Sequence, residues 1–232
     1  MLLTGTYHAA HHTYRSVTLS SEYAMHRSAP PVPAPEQRPE LRPRAADRIR
    51  RTAGELFYQE GIRAVGVDEI VTRAGATKPS LYRSFGSKDE LAASYLRDYD
   101  AAFFRRLEEA IQPYAGDARA QLLAYFRQVA QRVDMPGYRG CALSNTAVEY
   151  PGDAGTHPGR AIAVANKREL RARLRSLAGQ AGAPNAQALG DALLLLLEGC
   201  FVSSQLFTCD EGRPAQVVAD AAEKLIDAYL RG

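Results

Sequence analysis

From Pro43 to the end of the chain, apolar residues recur at helical spacing, and no stretch shows the strict apolar–polar alternation of a half-buried strand. Ile49, Ala53, Leu56 and Phe57 fall at i, i+4, i+7 and i+8. They predict a first helix with Pro43 at its first position and Gly61 at its end. "GVDEIVTRAG" (66–75) predicts a second, shorter helix with Gly66 as N-cap, Glu69 at the capping-box position, Ile70 and Ala74 turned inward and Gly75 as the stop. "TKPSLYRSF" predicts a third, capped by Thr77, with Pro79 in its first turn, Leu81 and Phe85 facing the core and Gly86 ending it. Ser87 then caps a long fourth helix that begins "KDELAASYLRDYDAAFFRRLEEAI". Further helical stretches cover about 117–133, 140–150, 158–181, 185–208 and 214–230, with turn-forming separators such as "DMPGYRG" and "PGDAGTH". The expected fold class is all-α.

Composition narrows the function. The 232 residues are 46% hydrophobic and 24% charged, enough for a packed core in one substantial domain or in a small domain plus a larger one. A net charge of +3 is only mildly basic, so nucleic-acid binding has to be argued from a local patch. Cys141, Cys200 and Cys209 form no CxxC, which speaks against a disulfide framework or zinc knuckle and fits a reducing cytoplasm. There is no Gly-rich phosphate loop, GxSxG or HExxH, so neither an enzyme nor a cofactor site is expected. Glu149, Asp153 and His157 can be drawn as a metal site but read more simply as polar residues of a Gly/Pro-rich loop; no metal is expected.

Residues 1–42 read as a disordered leader. "SAPPVPAPEQRPELRP" (28–43) favours extended polyproline II, and His8, His11 and His12 read as solvated. Met25 is an alternative start, which leaves open whether residues 1–24 are translated. The N-terminus lacks the apolar run of a secretory signal. The longest apolar run, "ALLLLL" at 192–197, sits between Asp191 and Glu198 and reads as a buried helix, not a membrane span.

The second and third helices are joined by "AGAT", the length of a helix-turn-helix connection. With Leu81 and Phe85 buried, Thr77, Lys78, Tyr82 and Arg83 are left on the outer face, a set of cations and hydroxyls suited to phosphates and guanine edges. Lys88 adds a cation where backbone N–H groups also favour phosphate. Upstream, "RPRAADRIRR" brings Arg42, Arg44, Arg48, Arg50 and Arg51 toward the same surface.

"FYQEGIRAVGVDEIVTRAGATKPSLYRSFGSKDELAASYL" closely resembles the DNA-binding domain of the TetR family of bacterial transcriptional regulators. The resemblance rests on Gly61, Ile70, Ala74-Gly75-Ala76-Thr77, Leu81-Tyr82-Arg83-Ser84-Phe85 and Ser87-Lys88-Asp89-Glu90-Leu91, spread in register over some fifty residues. It implies phosphate contacts from Tyr82 and Lys88, and places Lys78, Pro79 and Arg83 toward the groove. Gly66 stands where a Ser or Thr cap is usual, Pro79 where Gly or Ala is common, and Ser84 where an aromatic or His is usual, so base preference cannot be carried over.

Three regions are therefore expected: the leader 1–42, a helix-turn-helix domain 43–91, and a helical effector-binding and dimerisation domain 92–232. "GCALSNTAVEYPG" resembles the opening of the family's sixth helix, and the resemblance implies a homodimer through the last two helices. The eighth helix is apolar nearly all round, and the ninth carries Val218, Ala221, Ala222, Leu225 and Tyr229 along one stripe. Tyr125, Arg132, Asn145, Glu149 and Gln205 interrupt apolar surroundings, Phe126 and Phe201 offer ring faces, and Cys141 opens a helix. These are the candidate effector-site residues. The function expected is a regulator, a repressor on a palindromic operator, released by a small molecule. Two alternatives are a redox- or electrophile-sensing regulator acting through Cys141 and an effector-free architectural DNA-binding protein.

Overall fold

Helix starts and stops in the structure follow local chemistry closely. The structure is a computed structural model, and it describes residues 44–152, 157–207 and 214–231. Among them lie nine α-helices, two short 3-10 turns (Gln112–Tyr114 and Pro214–Val217) and no strand. Pro43, the leader histidines, Asp153 and Cys209, which entered the sequence expectations, fall outside the described residues.

Helices α1 (Ala45–Glu60), α2 (Val67–Arg73) and α3 (Lys78–Phe85) close around Ile49, Ala53, Phe57, Ile70 and Leu81, all buried. The start of α3 is a reciprocal cap. The Thr77 N–H donates to Ser80 Oγ at 3.1 Å, and the Ser80 N–H donates to Thr77 Oγ1 at 3.4 Å. At α2 the expected capping box does not form: Gly66 has no side chain to accept, and Glu69 pairs with Arg73 at 2.7 Å instead. Gly61 (φ +91°) and Gly86 (φ +76°) end α1 and α3 in left-handed backbone that other residues adopt only with strain.

Helix α4 (Lys88–Ile111) starts beside α3, with Leu91 and Leu96 buried, and continues through the larger helical layer. That layer comprises α5 (Ala118–Val133), α6 (Ala142–Glu149), α7 (Pro158–Gln180), α8 (Ala186–Leu206) and α9 (Val218–Arg231). At the α7–α8 crossing a Cβ on Gly190 would sit 2.7 Å from the Arg175 backbone, so only glycine permits that approach.

Two expectations about the last helices change. By length and mean hydropathy (1.4) α8 is apolar enough to cross a membrane. Its apolar residues divide, however, between a core face (Leu189, Leu193, Leu197, Cys200, Phe201) and an outer stripe where Leu195, Val202 and Leu206 are exposed. The stripe on α9 faces inward instead: Val218, Ala222 and Ile226 are buried, and Leu225 is half-buried against the core. Arg119 of α5 fastens α9 in place through Asp227 (2.7 Å) and Glu223 (3.3 Å). Of the last two helices, it is α8 that carries the exposed large apolar residues.

Candidate nucleic-acid interface and ligand cavity

The α3 face presents the residues that the sequence singled out. Thr77, Lys78, Pro79, Tyr82 and Arg83 are exposed, Tyr82 by 48%, and Lys88 is half-buried at the first position of α4. Among the described residues Arg83 is in no ion pair and projects freely. Lys78 is held by Asp68 of α2 at 2.7 Å, and that carboxylate raises its pKa above the ordinary lysine value. Burial lowers the pKa of Lys88, an effect opposed by Asp89 and Glu149. Arg44 is exposed at the N-cap of α1, where its carbonyl accepts from the Asp47 and Arg48 N–H groups.

Two upstream arginines serve the scaffold instead. Arg48 donates from Nε to the Ala74 carbonyl (3.0 Å) and from Nη2 to the Gly75 carbonyl (2.9 Å), which holds the turn between α2 and α3. Arg50 lies 5.9 Å over the Phe85 ring and 3.9 Å from Asp98. Phe85 is correspondingly half-buried and not sealed in the core.

The expected effector residues separate into three places. Tyr125, Cys141 and Phe201 line a narrow inner cavity of about 20 Å³, room for roughly one water. Its other walls include Tyr99, Phe103, Arg106, Arg132 and Tyr138. Tyr99, Arg132 and Tyr138 also line an outer cleft of about 280 Å³ against the 135–138 turn. Asn145, Glu149 and Gln205 instead line a separate cleft of about 530 Å³ beside the end of α1. Phe126 lines none of these spaces; it is fully buried, its ring edge-on to Tyr125 at 5.9 Å, and is core.

Glu149 is already engaged. Its carboxylate accepts from the Arg63 N–H at 3.0 Å, and Arg63 Nη1 donates back to the Glu149 carbonyl at 3.2 Å. A Cβ on Gly61 would meet that carboxylate at 2.7 Å. Tyr58 of α1 adds to this clasp: its hydroxyl donates to the Gly140 carbonyl (3.2 Å) and accepts from the Arg139 N–H (2.8 Å). The DNA-facing helices are thus joined to the larger layer at α6 as well as through α4. Arg160 holds the other side of α6, donating to the Ala147 (2.7 Å) and Tyr150 (2.9 Å) carbonyls at its C-terminal end. The spacing of Glu149 and Arg63, 86 residues apart, carries no sequence signal for this contact.

Cys141 is 1% exposed at the N-cap of α6, with Lys167 Nζ 3.4 Å from its sulfur. Burial works against the Lys167 ammonium, but Cys141 and Glu198, the latter at 2.8 Å, outweigh it and raise the pKa. The Ser144 hydroxyl donates to the other Glu198 oxygen at 2.7 Å. Burial pushes the Cys200 thiol up to about 11, as for a core cysteine. His157 caps α7 by accepting the Gly159 N–H at Nδ1 (3.0 Å) and lies 3.5 Å from Asp89.

A capped recognition helix with exposed cations, joined by α4 to a larger helical layer, defines a helix-turn-helix regulator. The sequence profile for bacterial regulatory proteins of the tetR family matches residues 49–95. A TetR-family transcriptional regulator from Streptomyces coelicolor is 30% identical, with a TM-score of 0.71 over 81% of this chain and 94% of that one. The chain therefore belongs to the TetR family. The reduced form of Escherichia coli NemR, at 20% identity, shares the fold (TM-score 0.63, 78% of this chain and 96% of that one). By sequence, the transcriptional repressor NemR of E. coli K12 is 29% identical over 104 residues, 44% of this chain and 52% of its own length. The transcriptional activator FasR of Mycolicibacterium smegmatis is 34% identical over 90 residues, 38% and 40% of the two lengths. The chain spans about half the length, or less, of these curated relatives.

Proposed function

We propose that this TetR-family regulator is a repressor that binds a palindromic operator as a homodimer and is released by a small molecule taken up between its central helices. The observation that carries the reading is the continuity of the structure from the α3 face to the cavity. Helix α4 runs from Lys88 to Arg106, and the Glu149–Arg63 clasp ties α6 to the end of α1. A ligand releases DNA only by favouring the arrangement in which the two recognition helices are misaligned, and these two connections are the means of rearranging them. The dimer seam is the outer stripe of α8, Leu195, Val202 and Leu206, beside α9. The sequence pointed to the last two helices together; this reading keeps α8 and gives the α9 stripe to the subunit's own core.

The test is fluorescence anisotropy on the palindrome nearest the gene, with light scattering to count subunits. A repressor of this kind binds as a dimer, loses affinity steeply as salt rises, and is displaced by ligand. Monomeric or salt-independent binding would sink the proposal. Binding that no ligand alters would leave an effector-free architectural protein.

The Lys167–Cys141 contact favours a second reading, in which Cys141 senses electrophiles or oxidants. Lys167 Nζ donates to the Cys141 sulfur at 3.4 Å, a cationic neighbour of the kind reactive cysteines have, and a relative has been solved in a form named as reduced. N-ethylmaleimide would then displace the parent from operator and leave Cys141→Ser bound. Equal displacement of both proteins rules this reading out.

A further inference from the structure

The inner cavity holds two positive charges with no answering negative one. Arg106 and Arg132 both line it, and among the described residues neither is in an ion pair. What they have instead are ring faces, Tyr99 at 5.8 Å from Arg106 and Tyr138 at 5.8 Å from Arg132. Glu198, on α8, is already taken by Lys167 and Ser144. Burial, and then the like charge of Arg132, push the Arg106 pKa below its ordinary value, so the pair is held at a cost.

A third group points the same way. Tyr125 is 3% exposed, lines the same cavity, and its hydroxyl has no hydrogen-bond partner. A buried hydroxyl without a partner is destabilising, and a half-buried cation facing another is also held at some cost. Three such groups converging on one cavity are accounted for by a ligand that satisfies all of them. Phe103 and Phe201 supply the apolar wall, and the outer cleft of about 280 Å³ gives a route inward past Tyr99 and Tyr138.

We infer that the effector is an organic carboxylate, its acid group held between Arg106 and Arg132 with the Tyr125 hydroxyl donating to it and its apolar body along Phe103 and Phe201. This rests on the effector reading above and adds the charge class of the ligand. Guanidinium is the side chain best shaped for a carboxylate, since it offers parallel N–H donors in a plane. At about 20 Å³ the inner cavity admits such a ligand only as the surrounding side chains separate. Binding and rearrangement are therefore one event.

The experiment uses the full chain and matched pairs of probes: benzoate with benzamide, cinnamate with cinnamamide, octanoate with octanamide. Binding is read by thermal shift and titration calorimetry, and operator release by anisotropy. At least one acid is expected to bind, with its amide weaker by about tenfold or more. Arg106→Gln and Arg132→Gln are each expected to weaken that acid about tenfold or more, and Arg106→Lys to weaken it less. Neither Gln variant is expected to melt far below the parent, because each exchanges a ring contact for relief of like-charge repulsion; that separates lost binding from lost folding. Amides that bind as well as their acids, or Gln variants that bind normally, overturn the carboxylate assignment and leave the effector reading standing. No binding by any acid also overturns it. If in addition no amide binds or shifts operator affinity, the effector reading falls with it.

Discussion

The cations of the recognition helix and those of the central helices are the same residue types in opposite circumstances. Lys78 and Arg83 stand in solvent, and Lys88 is half-buried at the mouth of α4, where each can displace a counterion from a phosphate. Such charges cost the fold little and are partly interchangeable. Arg106 and Arg132 are half-buried against aromatic rings, where a charge without an opposite partner is held at more cost than in solvent. A surface cation is thus weak evidence of function until a partner surface is identified. Two half-buried cations that share a cavity with no carboxylate are stronger evidence, because their ring contacts leave the charges unneutralised.

The contrast can be tested from its most drastic consequence downward. Ile226→Glu places on the buried face of α9 a charge that no ligand answers. It is expected to cost several kcal/mol and unfold the chain, as a denaturant melt would record. A stable Ile226→Glu variant would remove the argument that interior charge signals function. Leu195→Glu puts the same charge on the exposed stripe of α8. The subunit is expected to stay folded by circular dichroism, while light scattering shows monomer and operator binding is lost. If the dimer persists, the seam is elsewhere.

Arg48→Ala removes two hydrogen bonds from a charged donor to the turn between α2 and α3. A loss of about 1.5–3 kcal/mol is expected in urea melts, with operator affinity falling as the turn loosens. Arg83→Ala is expected to cost about 1–3 kcal/mol at one operator position. Lys88→Ala should instead weaken all sequences alike and lower the salt slope by about 1. The smallest effect is at Asp68. Asp68→Asn frees Lys78 from its 2.7 Å ion pair and is expected to tighten DNA binding a few-fold at low salt, with the gain fading as salt rises. Unchanged affinity at low salt would mean that Lys78 does not reach the duplex.

The DNA-facing half was legible because its determinants are local. Thr77, Gly61, Gly86 and Ser87 fix helix ends within one or two turns of themselves, and Leu81 shows its inward face by spacing alone. The central helices were legible as helices but not as a site. Tyr125, Cys141 and Phe201 line one cavity, whereas Asn145, Glu149 and Gln205 line another cleft and Phe126 lies in the core. Which neighbour each one meets depends on packing between distant segments. Arg106 was overlooked although a signal existed: it follows Tyr99 and Phe103 at i+7 and i+3, on the inward face of α4. The α9 stripe was seen, but a stripe alone does not say whether its partner is the same chain or another.

Helix α6 is eight residues long, about 12 Å from end to end. The thiol of Cys141 borders the inner cavity at one end, and the Glu149 clasp holds Arg63 at the other. A rod so short and so firmly held cannot bend to absorb a displacement, and it conducts in both directions. Under the proposed mechanism, whatever factor a saturating ligand takes from operator affinity, saturating operator must take from ligand affinity. Subunits seated on DNA would then be poorer sensors than subunits free in solution. The dose that lifts them from the operator would rise with the number of operator copies, so adding the operator on a multicopy plasmid would by itself shift the induction threshold.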